Sequence, residues 1–213
     1  QVLDTPELAA QINALETQGK TVVTMMTPTE ALALFAVADT IKDSSTRAIQ
    51  ELHGLGIKTI MLTGDNPHTA RAIAKQAGID EAKGNMLPEH KQAEIERLAA
   101  HSKVGMVGDG INDTPALARA DIGFAMGAAG ADTAIETADV ALMDDDLRKI
   151  PQFIRLSQAT SRILKQNIAL ALGIKAVFLV LTFTGDATMW MAVFADMGAS
   201  LLVVGNGLRL LKK

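Results

Sequence analysis

The distribution of apolar residues constrains this chain more than any other feature. Up to residue 148, short apolar runs at 22–26, 32–37, 58–62, 104–107, 122–125 and 140–143 alternate with segments of helical pattern. After residue 167 the pattern becomes two long apolar stretches, 168–183 and 189–211, joined by Gly185-Asp186-Ala187-Thr188. The alternating part predicts an α/β layer with a largely parallel sheet. A bilayer span needs ~20 mainly apolar residues, so the second stretch suffices and the first is short. The mean hydropathy of +0.21 is high for a soluble domain, and the excess sits in this last part.

The charges around the apolar pair point the same way. Arg155, Arg162 and Lys165 precede it, Arg209, Lys212 and Lys213 end it, and the turn between has no basic residue. The excess of basic residues on the inner side of membranes puts both ends in the cytosol and the turn outside. Lys175 and Asp196 lie inside the stretches. At ~1.5 Å rise per residue both fall roughly eight to ten residues from the turn, at similar depth, so they could pair. Ionisable residues within a bilayer are costly and functional by default. Two plainer readings stand beside this: a structural ion pair stitching the helices, and a buried helical hairpin of a soluble protein.

In the first part, two loops have the same build. Residues 104–107 lead into Gly108-Asp109-Gly110-Ile111-Asn112-Asp113, which sets two carboxylates and an amide on one turn. Glycine lets a ligand approach the backbone, and two carboxylates suit Mg²⁺ held together with a substrate phosphate. A lone Gly-Asp-Gly is more often an ordinary acidic turn; the whole string is more specific. Residues 56–62 lead into Thr63-Gly64-Asp65-Asn66-Pro67 and then a helical run, 69–76. A strand, a tight polar loop and a helix N-terminus is the usual geometry for holding a phosphate. Between them lies Leu87-Pro88-Glu89-His90-Lys91, with Pro88 suited to a first helical turn. Lys91 stands near that helix start, a point charge for a phosphoryl group or a solvated surface residue.

Taken in order, TGDN, PEHK and GDGIND, with Ala38-Asp39-Thr40-Ile41-Lys42-Asp43 upstream and Thr114-Pro115-Ala116-Leu117 downstream, resemble the phosphorylation domain of P-type ATPases, within the haloacid-dehalogenase-like group. The resemblance runs from about residue 21 to the C-terminus. It implies an α/β Rossmann-like fold, ATP as substrate and Mg²⁺ as cofactor. It also implies that Asp109 ligates Mg²⁺ with Asp113 in support. Thr63, Gly64, Lys91 and Asn112 would then surround the transferred phosphoryl group, with Asp65 on the nucleotide side. Phosphoryl transfer is mostly positioning and charge neutralisation, and a hydroxyl, an ammonium, an amide and a metal ion supply both.

Lys175 in Gly173-Ile174-Lys175, and Asp196 in Ala195-Asp196-Met197-Gly198-Ala199, resemble the last two helices of the zinc/cadmium/lead-exporting subgroup of heavy-metal pumps. By that likeness Asp196 serves the transported divalent cation and Lys175 is its counter-charge. Carboxylate oxygen suits such a cation better than Cu(I), which prefers sulfur; Met197 is a soft neighbour that keeps a copper pump open as an alternative. The implied function is ATP-driven export of Zn²⁺, Cd²⁺ or Pb²⁺ across the plasma (inner) membrane. A membrane-anchored phosphatase and a regulatory fragment remain as further alternatives.

The family's nucleophilic aspartate stands in a DKTGT motif, and this sequence has none; nor has it a cysteine for a CPC passage motif. The chain therefore reads as the C-terminal portion of a longer pump, whose N-terminal part would be its partner. The sheet would lack the strand that carries the nucleophile, and the 213 residues alone would be inactive. The expected divisions are a nucleotide-domain tail at 1–20, a phosphorylation domain at 21–147, a connecting helix at 148–166 and a transmembrane hairpin at 167–213. Asp4 or Thr5 would cap a first helix, with Pro6 in its first turn and Gly19 closing it. The acidic run 144–146 reads as the N-terminal charge of the helix that follows. A net charge of −4 and a pI near 5.6 argue against nucleic-acid partners. His53, His68, His90 and His101 have no metal-ligand spacing and read as structural or exposed.

Overall fold

The computed structural model describes residues 6–28, 30–37, 41–127, 132–186 and 188–212. Two compact units divide after Pro151. The first opens with α1 (Pro6–Glu16), which carries Pro6 in its first turn, and Gly19 closes the chain behind it at φ 78°. Asp4 and Thr5, the expected caps, lie outside the described residues, as do residues 38–40. Next come β1 (Thr21–Met26) and β2 (Ala31–Val37), paired antiparallel with Thr21 opposite Val37. This pair is the antiparallel exception among the described strands; the other pairings are parallel, as the alternating pattern predicts. So short a link can join only an antiparallel pair, because a parallel crossover needs a dozen or more residues.

From there the unit alternates helix and strand: α2 (Asp43–Gly54), β3 (Ile60–Leu62), α3 (Pro67–Ala77), β4 (Glu81–Lys83), α4 (Pro88–Ala99) and β5 (Gly105–Gly108). It continues with α5 (Thr114–Leu117), β6 (Ile122–Met126), α6 (Asp132–Thr137) and β7 (Val140–Leu142). These strands are parallel, but they form two sheets, β3-β4 and β5-β6-β7. Among the described residues no ladder joins β3 to β5, so each keeps an unpaired edge. β4 is the strand the hydropathy pattern missed. Glu81-Ala82-Lys83 has no apolar alternation, and its charges are spent sideways, with Lys58 3.0 Å from Glu81 and Lys83 2.9 Å from Glu94 on α4.

The core lies against β5 and β6. Ile95 of α4, Met106, Ala116 and Leu117 of α5, Ala125 and Ala134 of α6 form one buried cluster, with Leu62 and Ile135 packed on it. Three of these six residues are alanines, so the helices approach the sheet closely and leave little room for error. The site loops at the strand ends rest on this cluster.

The acidic run resolves as the entry to a long helix. Asp146 accepts the Arg148 N–H at 3.0 Å and holds its guanidinium at 2.6 Å, which lowers the carboxyl to about 2. The helix α7 (Lys149–Thr184) then runs unbroken for 36 residues, about 54 Å at the usual rise. The expected connecting helix and first apolar span are thus one element, since nothing after Pro151 interrupts the backbone ladder. Thr188 caps α8 (Met189–Gly207) by accepting the Met191 N–H at 3.3 Å. Both helices are long and apolar enough to cross a membrane. The most apolar window of α7 is 0% buried and that of α8 is 6% buried. A buried hairpin of a soluble protein would hide these faces, whereas these windows hold almost no buried residue.

Candidate active site

Both motif loops leave the C-terminal ends of parallel strands that have an unpaired edge. After β3, Thr63 Oγ1 donates to Asp65 Oδ2 at 2.9 Å and accepts the Asp65 N–H at 3.2 Å. The loop is backed by residues following β4. Thr63 N–H donates to Lys83 O at 3.0 Å, Asn85 N–H to Asp65 O at 2.6 Å and Met86 N–H to Thr63 O at 2.9 Å. Gly64 and Asp65 face solvent. The helix N-terminus, expected to hold a phosphate, is already occupied: Asn66 Oδ1 accepts the N–H groups of His68 and Thr69, each at 2.9 Å. An N-cap side chain satisfies the donors an anion would need. What the loop offers a phosphoryl group is therefore the Thr63 hydroxyl and its own backbone.

After β5, the GDGIND loop turns through a short 3₁₀ segment, Ile111–Asp113. Asp109 and Asn112 are exposed, and Asp113 is buried at 8% exposure. Lys91 Nζ lies 2.8 Å from Asp113 Oδ1, with side chains 15% and 12% exposed. So Lys91 is no solvated surface residue. It joins α4 to the second loop across 22 positions of sequence. A Cβ at Gly108 would stand 2.6 Å from the Asp113 Cβ, closer than carbon atoms approach. The glycine expected to admit a ligand thus admits the site's own carboxylate.

A second charge set, whose link from Lys83 to Glu94 only the tertiary structure shows, holds α4 in place. Lys83 and Arg97 flank Glu94, itself 11% exposed, at 2.9 and 2.6 Å. Arg97 first, and Lys83 after it, keep the Glu94 carboxyl below its ordinary range. Glu94 lies one turn from Lys91, so this set orients the face of α4 that reaches Asp113. Oxygen donors from Asp109 and Asp113 on one loop match the chemistry of a hard cation.

Of the four histidines, His68 and His90 are exposed, and His53 and His101 make local contacts. His53 Nε2 sits 3.0 Å from Asp80 and 3.1 Å from the Thr59 hydroxyl, and His101 Nδ1 sits 3.1 Å from Arg97 O. In the helical unit, Lys175 and Asp196 are both exposed, and no ion pair between them forms among the described residues. The pairing that equal depth allowed is not made: depth sets height along the helices, whereas rotation about each axis decides whether two side chains meet.

The family model for haloacid dehalogenase-like hydrolases matches residues 2–121, more than half of the chain. The chain belongs to the haloacid dehalogenase-like hydrolase family. Within that family it is 52% identical over 210 residues to a probable cadmium-transporting ATPase of Listeria monocytogenes, covering 98% of this chain and 30% of that protein. It is 48% identical over 202 residues to the zinc/cadmium/lead-transporting P-type ATPase of Escherichia coli (strain K12), covering 95% of this chain and 27% of the other. Among solved structures, a zinc-transporting PIB-type ATPase in its E2.Pi state superposes with a TM-score of 0.85 at 48% identity. That alignment covers 95% of this chain and 33% of the other. The chain thus spans about a third or less of the length of these relatives.

Proposed function

We propose that this chain forms the phosphoryl-transfer core and the last two membrane helices of an ATP-driven exporter of divalent heavy-metal cations, Zn²⁺, Cd²⁺ or Pb²⁺. The observation that carries the reading is the Lys91–Asp113 contact, which brings PEHK and GDGIND together at the end of β5. Thr63 and Asp65 hold a matching loop at the end of β3. The acceptor aspartate would come from a DKTGT strand outside these 213 residues. The unpaired edges of β3 and β5 suit such a strand, which would set its carboxylate between the two loops.

In this reading Lys91 and the Thr63 hydroxyl orient the phosphoryl oxygens, and Asn112 donates an amide hydrogen bond. Asp109 and Asp113 would hold Mg²⁺, which supplies charge neutralisation when bound. Asp65 faces the nucleotide. α7 and α8 span the cytoplasmic membrane, with the α/β unit and C-terminus in the cytosol. Asp196 takes the exported cation as substrate and Lys175 opposes it. Their lack of a mutual partner supports this, because an unpaired charge on an apolar helix needs an interior partner.

The decisive experiment uses the full-length protein that carries this chain. Zn²⁺-stimulated ATP hydrolysis should accompany an acid-stable phosphoenzyme, and Asp109→Asn should remove both. ATP hydrolysis indifferent to Zn²⁺, Cd²⁺ and Pb²⁺ but stimulated by Cu(I) would turn the assignment to a copper pump. Residues 1–213 expressed alone should form no phosphoenzyme.

A further inference from the structure

The basic residues of α7 form a surface that the transport reading does not use. The helix Lys149–Thr184 contains no aspartate or glutamate along its 36 residues. Ser157, Gln158, Ser161, Arg162 and Lys165 line one shallow recess along it. At 100° per residue these five cover about 140° of the helix circumference. Ala159 and Ile163, on the opposite flank, are buried at 6% and 7% exposure. All five recess residues are exposed, and neither Arg162 nor Lys165 makes an ion pair among the described residues. This contrasts with Lys83, Lys91, Arg97 and Arg148, each of which meets a carboxylate.

The height of the recess matters as much as its charge. The apolar stretch begins at residue 168, so Lys165 stands about 4.5 Å and Arg162 about 9 Å before it, at 1.5 Å per residue. A bilayer's headgroup layer is roughly 5–7 Å deep on each side. The two cations therefore straddle that layer, with two hydroxyls and an amide beside them. We infer that Ser161, Arg162 and Lys165 bind the phosphate of an anionic phospholipid at the cytosolic face of the bilayer. An arginine fork and a lysine point charge are complementary to a phosphodiester, hydroxyls supply neutral donors, and the acid-free helix leaves nothing to compete. The inference rests on the membrane reading given above.

The test uses the full-length protein. Flotation with phosphatidylcholine vesicles first establishes insertion; a wild-type protein that fails to insert there overturns the membrane reading and this inference with it. Lipid retention is then measured by native mass spectrometry from mixtures of phosphatidylglycerol and phosphatidylcholine. Wild type should retain phosphatidylglycerol preferentially. Arg162→Gln/Lys165→Gln should insert normally but lose that preference, by roughly fivefold per cation removed. The charge-keeping Arg162→Lys/Lys165→Arg should retain it, which separates loss of charge from loss of fold. Lys103→Gln, at an exposed lysine paired with Asp121 in the other unit, should change nothing. The inference is wrong if the double glutamine variant keeps its preference, or if Lys103→Gln loses as much. It is also wrong if inorganic phosphate displaces the lipid, for the recess would then serve a free anion.

Discussion

The two units handle charge in opposite ways. In the α/β unit, Lys91 meets Asp113, Lys83 and Arg97 meet Glu94, and Arg148 meets Asp146, all at 2.6–2.9 Å. In the helical unit Lys175, Asp196, Arg162 and Lys165 face outward, without ion pairs among the described residues, on helices whose apolar windows hold almost no buried residue. The lesson concerns where function is completed. In the function proposed above, the polar frame of the first unit would receive a nucleophile and a nucleotide, and the outward groups of the second would meet a bilayer, further helices and a cation.

The sharpest way to break this contrast is Asp196→Ala in the full-length protein. It should abolish Zn²⁺-stimulated ATPase activity while phosphorylation from inorganic phosphate persists, since the α/β site is untouched. Near-normal zinc transport by Lys175→Ala/Asp196→Ala would show instead that the two residues are scaffolding. Asp109→Asn should do the converse, cutting phosphorylation by ATP about a hundredfold or more with zinc binding intact. Equilibrium zinc binding to the variant reads that second half.

Within the α/β frame the effects are on stability as well. Lys91→Met leaves Asp113 buried without its cation and should lower stability by about 3 kcal/mol in urea unfolding. Leu117→Ala, at 2% exposure in the core, should cost a similar ~3 kcal/mol. Only Lys91→Met should also slow phosphorylation. If Leu117→Ala slowed it equally at temperatures where both variants are folded, the ion pair would have no separate part in the site.

The smallest expected effect is acid sensitivity at the start of α7. Arg148 lowers Asp146 from 3.8 to about 2. A depressed carboxyl adds stability that is present above its unfolded value and is lost as pH falls through the folded one. That contribution should therefore vanish between about pH 4 and pH 2. Asp146→Asn should flatten the stability profile in that window; an unchanged acid limb would mean Arg148 contributes nothing there.

The sequence alone was enough for most element types, with β4 the strand it missed, and for the motif loops and the two apolar helices, because each is written in local pattern. Strands 104–107 and 122–125 alternate with helices, GDGIND and TGDN are contiguous strings, and long apolar runs need no partner to be recognised. The tertiary structure decided what depends on residues far apart. It showed that β4 is a strand despite Glu81-Ala82-Lys83, since its ladder to β3 compensates for poor propensity. It showed that Asn66 closes the helix end read as a phosphate cradle, and that Gly108 makes room for Asp113. It joined Lys91 to Asp113 and left Lys175 apart from Asp196. A side-chain contact depends on the rotation and register of whole elements rather than on spacing along the chain, and in the α/β unit these are set by packing around Ile95, Met106 and Leu117.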